Sequence, residues 1–171
     1  MSTGAVTYSN SFWTFSPGIA GQGTGMPTNS GFQVPTCATP PNPASTTSTS
    51  KVMAGLGGAW RFTPLQTGKV KIHVWGSVNN GTTGDGVTFQ MAYGTGTAPV
   101  NGATASGTTT GSAMTWTAVT GVLTSGVPFC LESLIAGLTV DTPYWFDLQF
   151  ESVTGGTSSF TNLTCTAEET W

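Results

Sequence analysis

The sequence predicts an all-β protein: an antiparallel β-sandwich of jelly-roll type, preceded by an extended N-terminal arm. Three observations lead there. Thr, Gly and Ser dominate the 171 residues; Thr suits a pleated, half-buried surface and Gly suits turns. Glu, Lys and other strong helix formers are scarce. Several segments alternate apolar and polar residues with period two, separated by turn clusters.

Residues 1–50 read as the arm. They carry no charged side chain, and Pro40-Pro41-Asn42-Pro43 leads into a Ser/Thr tract. Proline removes ladder donors and favours an extended chain, and hydroxyl residues have little to bury. Yet Tyr8, Phe12, Trp13, Phe15, Ile19, Phe32 and Val34 punctuate the segment. A solvated tail should be rich in charge and poor in aromatics; this one is the reverse. Tyr8, Phe12, Trp13 and Phe15 are therefore expected to anchor the arm on another subunit, with packing back on the same chain as the alternative.

The sandwich is expected over residues 51–171. Lys69-Val70-Lys71-Ile72-His73-Val74-Trp75 alternates, with Val70, Ile72 and Val74 on one face. Val87-Thr88-Phe89-Gln90-Met91-Ala92-Tyr93 alternates again. In Tyr144-Trp145-Phe146-Asp147-Leu148-Gln149-Phe150-Glu151, the residues Tyr144, Phe146, Leu148 and Phe150 form an apolar face. Further strands are expected within 52–62, 115–123, 129–135 and 160–167. Asn79-Asn80-Gly81, Gly84-Asp85-Gly86, Gly94-Thr95-Gly96, Asn101-Gly102 and Gly155-Gly156 supply the turns. Such short, regularly punctuated strands indicate a sandwich or jelly roll.

The alternation also places the charges. All 4 basic groups lie between Lys51 and Lys71, and all 7 acids lie from Asp85 onward. Lys69, Lys71 and His73 share the non-core face of one strand, and Asp147 and Glu151 that of another. If those strands are neighbours, or meet across a subunit boundary, cross-strand pairs fix the register.

Little in the chain suggests catalysis, and no enzyme activity or cofactor is expected. His73 is the only histidine, which leaves a zinc site without its usual ligand set. Asp147 and Glu151, four residues apart on a strand, are about 13 Å apart, beyond the roughly 5–9.5 Å that glycoside hydrolysis needs. Gly84-Asp85-Gly86 offers one carboxylate, too few for a calcium loop, and reads as a hairpin. Cys37, Cys130 and Cys165 make an odd set. They read as free thiols, with Cys37 alternatively meeting a neighbouring chain. Trp75 and Trp145 lie opposite the apolar faces, so both are expected at a subunit contact or a sugar-stacking surface. A net charge of −3 gives no basic footprint for nucleic acid. The chain has no run of roughly 18 apolar residues and no basic, apolar leader, so production and use in the cytosol are expected, with a mature chain that has lost its leader as the alternative.

A resemblance rests on Met53-Ala54-Gly55-Leu56-Gly57, Thr67-Gly68-Lys69-Val70, Gly84-Asp85-Gly86, Tyr93-Gly94-Thr95-Gly96-Thr97-Ala98-Pro99, and the stretch Leu138 to Asp147. These residues, within 52–169, resemble a β-sandwich module of structural proteins in tailed bacteriophages. The resemblance implies a jelly roll, often trimeric, on capsids or in tails and fibres. It implies no catalytic residue. It leads us to expect a virion protein assembled in the host bacterial cytoplasm. The protein would decorate the capsid as a homotrimer bound to the major capsid protein. A tail-fibre or tail-tip protein that binds host glycan is the alternative.

Overall fold

The structure is a computed structural model and describes residues 6–9, 12–15, 36–117 and 126–171. Two compact units are present, Met1–Phe32 and Gln33–Trp171. Ile19, Phe32, Val34 and the expected strand positions 118–123 lie outside the described residues.

In the first unit, β1 (Val6–Ser9) pairs antiparallel with β2 (Phe12–Phe15), setting Tyr8 opposite Trp13 and Ser9 opposite Phe12. The arm is thus a hairpin over these positions, and all four expected anchors, Tyr8, Phe12, Trp13 and Phe15, belong to it.

The second unit is a sandwich of two antiparallel sheets. Its strands are β3 (Thr36–Ala38), β4 (Val52–Met53), β5 (Arg61–Phe62), β6 (Val70–Asn80), β7 (Gly86–Thr95) and β8 (Thr108–Thr117). These are followed by β9 (Val127–Ile135), β10 (Tyr144–Ser152) and β11 (Ser158–Glu169). One sheet runs β4-β10-β7-β8 with β5 also on β10, and the other runs β3-β11-β6-β9. This is a jelly roll. The strands form nested pairs, β3 with β11, β4 and β5 with β10, β6 with β9, and β7 with β8. The nested hairpin then rolls so that β6 meets β11 and β7 meets β10. The segment expected as one strand over 52–62 is instead two short strands around a 3-10 turn at Leu56–Gly58.

The expected boundary after Ser50 also moves. β3 pairs with β11, Thr46 bridges Ser158, and the Ser152 amide donates to the Ser48 carbonyl. Residues 36–50 therefore belong to the sandwich, where they cover the outer edges of β11 and β10. Proline there rules out a long ladder but not a short edge strand.

The core lies where the alternation puts it. Val70, Ile72, Val74, Phe146, Leu148 and Phe150 are all fully buried, and Phe89, Phe129, Phe150 and Phe160 pack in tilted or edge-on pairs. Two carboxylates tie the ends together. Asp85 accepts from the Asn80 and Ser152 side chains and from the Thr154 and Gly156 amides, fastening the β6–β7 turn to the β10–β11 turn. Glu169 accepts from four consecutive amides, Leu65 to Gly68, in an anion nest.

Candidate functional site

The two outer faces of the sandwich differ. On β10 Trp145, Asp147 and Gln149 point away from the core and the protein's own loops cover all three; Glu151, on the same side, is half-buried. The Trp145 indole lies against glycines; a Cβ on Gly94 or Gly107 would stand 2.5 Å from its ring. Its Nε1 donates to the Thr95 carbonyl at 3.1 Å. The Asp147 carboxylate accepts from the amides of Gly55, Leu56 and Leu148. The Gln149 amide donates to the Ser106 carbonyl at 2.9 Å. Trp145 is only 5% exposed, so its expected place on an open binding surface is corrected. Period-two alternation says which side a residue faces, not whether a loop returns over it.

On the other sheet the outer face is open. Because β6 buries Val70, Ile72 and Val74, its Lys71, His73 and Trp75 must point out. β9 buries Phe129, Leu131 and Ile135, which turns Cys130, Glu132 and Leu134 out on the same side. Register then assembles the patch. Trp75 stands between Cys130 and Thr164, His73 between Glu132 and Thr166, and Lys71 between Leu134 and Glu168. Cys37 completes the His73 row from the edge, opposite Thr166. Trp75 is 39% exposed and Leu134 60%.

Glu132 supplies the patch's fixed charge. Its Oε2 lies 2.6 Å from His73 Nε2 and 3.5 Å from Lys71 Nζ. The His73 contact is short, but its ring N–H has no aligned hydrogen-bond acceptor. It is an ion pair only when the imidazole is protonated. The cross-strand charge partner of the basic strand is therefore Glu132, not Asp147 or Glu151. β6 and β10 lie in different sheets, so the two strands are not neighbours within the chain. Sequence reasoning passed over Cys130, Glu132 and Leu134 as a set, although Phe129 and Leu131 already carried the period that turns them outward.

The three cysteines divide by face. Cys37 and Cys130 are exposed free thiols, and Cys165 is buried against Val74 in the core register. Burial pushes the Cys165 thiol up to about 12. Glu132 and Asp147 occupy opposite outer faces, so they are not a carboxylate pair. Among the described residues, no group of three His, Cys, Asp or Glu side chains is disposed to hold a metal ion. No helix among them is long and apolar enough to cross a membrane. The chain matches no protein-family model and no curated protein sequence.

Proposed function

We propose that this is a non-enzymatic structural protein of a phage virion, a capsid decoration protein that docks as a homotrimer on the major capsid protein. One observation carries the reading: on β10 the outer residues are covered by the chain's own loops, whereas on the other sheet Trp75, Leu134 and Cys130 stand exposed around a charged row. An exposed Trp is the chemistry of an interface anchor. The charged row would fix orientation more than it would add strength, since exposed pairs contribute about 0–1 kcal/mol. The uncharged hairpin unit, with Tyr8, Phe12, Trp13 and Phe15, would supply a second attachment. The protein would then assemble onto particles in the bacterial cytoplasm and reside in the virion.

The test is incorporation into particles by a Trp75→Ala, Leu134→Ala double variant. Both side chains are exposed, so thermal stability should stay within about 1 kcal/mol of the parent. Loss of two anchors should lower incorporation by roughly 30-fold or more, the effect of about 2 kcal/mol at a hot spot. A stable double variant that enters particles undiminished overturns the docking face. Trp75 also sustains a second reading, a glycan-binding tail-fibre or tail-tip protein, because an open indole can stack on a sugar ring. A glycan-array signal abolished by Trp75→Ala would select it.

A further inference from the structure

The edges of the two sheets are not equally protected. β3 has 3 residues, and β4 and β5 have 2 each. β9 carries Pro128 and Glu132. Short strands, prolines and charges are the devices by which proteins keep sheet edges from pairing with other chains. β8 has neither a charge nor a proline over 10 residues, and no described strand pairs with its outer side.

A bulge bends its first half. The register with β7 shifts between Phe89 and Met91, where Gly111 adopts φ +68. Beyond the bulge the ladder is regular, pairing Met114, Thr115, Trp116 and Thr117 with Phe89, Thr88, Val87 and Gly86. Met114 and Trp116 pack against the core but are only partly buried, and the Trp116 Nε1 donates to the Met114 sulfur at 3.2 Å. Thr115 points to the exposed side. Among the described residues, the outer side of this edge thus has no strand partner, and its apolar stripe is only partly buried.

We propose that β8 is an interaction surface at which two copies of this chain pair edge to edge, antiparallel, about a twofold axis at Thr115. Residues directly opposite in an antiparallel pair share a face. Centring the axis on Thr115 therefore sets Met114 against Trp116 of the second copy and Thr115 against its own counterpart. Each half-buried stripe then covers the other with a sulfur–aromatic contact, and the threonines meet as a hydroxyl pair. A twofold contact sets each residue on the axis against itself, so any charge there would be repelled. The absence of charge from residues 86–131 is what self-pairing requires. The surface is separate from the docking face. Combined with a threefold trimer it would generate a six-chain assembly, and without one a dimer.

The solution mass of the full chain tests this, by sedimentation across a concentration series. The native chain should reach an even-numbered assembly, and Thr115→Lys should halve that mass with the circular dichroism spectrum unchanged. A second variant covers the case in which lysine disturbs folding. In a Cys37→Ser, Cys130→Ser background, Thr115→Cys should form a disulfide-linked dimer under mild oxidation, whereas Thr109→Cys at the far end of β8 should not. The proposal is overturned by a native chain that is monomeric at every concentration, or by a mass unaltered in a folded Thr115→Lys. Equal cross-linking at positions 109 and 115 also overturns it. None of these outcomes depends on whether the protein binds a capsid.

Discussion

At Asp147 two opposing effects meet in one buried carboxyl group. Burial pushes its pKa up to about 6, against the downward pull of the amides of Leu56, Leu148, Gly55 and Gly57. Asp85 and Glu169 resolve the same contest the other way. Burial would raise Asp85 too, but the Ser152 and Asn80 side chains and backbone amides hold it well below the usual carboxylate range. The four amides of the nest likewise outweigh burial at Glu169 and lower its pKa. The signs give opposite pH dependences. A carboxyl raised on folding stabilises most below its unfolded value and loses that contribution as pH rises through its folded value. Asp147 should therefore weaken the fold between about pH 4 and pH 6, by on the order of 2–3 kcal/mol. Asp85 and Glu169 contribute above their unfolded values and lose that contribution as the solution becomes more acidic. Stability should be greatest near pH 4–5. Urea midpoints measured from pH 3 to 7 check this, and in Asp147→Asn the decline between pH 4 and 6 should vanish. An unchanged decline in that variant would place its origin elsewhere.

At the scale of elements, faces were readable and neighbours were not. The alternation in β6, β7 and β10 assigns the core residues, because one buried face leaves a period-two mark. It carries nothing about which strand lies alongside, so it leaves open whether the basic strand adjoins the one with Asp147 and Glu151; the charge partner in the structure is Glu132 on β9. Nor does it register a covering loop, and Trp145 was misplaced for that reason. A signal for the cover was present in Gly94 and Gly107, where the chain gives up side chains to let an indole lie flat. The proline-rich run hid β3, since three residues of edge strand are too short to produce a period. The cover over β10 yields its own expectation. Gly94→Ala places a methyl 2.5 Å from the Trp145 ring, and crowding of this kind costs about 1–3 kcal/mol. A denaturant titration should find that loss. A Gly94→Ala protein as stable as the parent would mean that the indole is not held against β7.

For the whole molecule, the scarcity of charge is greater at the surface than in the composition. Of the 7 acidic groups, Asp85 and Asp147 are fully buried, and Glu169 spends its carboxylate on the nest. What is left outside is a Thr- and Gly-rich surface with one concentrated charged row, on the face that also carries Trp75 and Leu134. Such a surface is poorly defended against association, which suits a subunit whose working state is an assembly. The N-terminal hairpin extends the same chemistry, with aromatic residues and no charge. The fold class was legible because composition and period agree; the exposed patch around Trp75 became legible only when register brought β6, β9 and β11 together. If the proposed role holds, the most direct measurement is a reconstruction, by electron cryomicroscopy, of phage particles assembled with this protein. It should reveal jelly rolls repeated with the symmetry of the shell and seated by the Trp75 face on the capsid protein. Copies confined to a tail tip, or seated by the β10 face with Trp75 open to solvent, would contradict it.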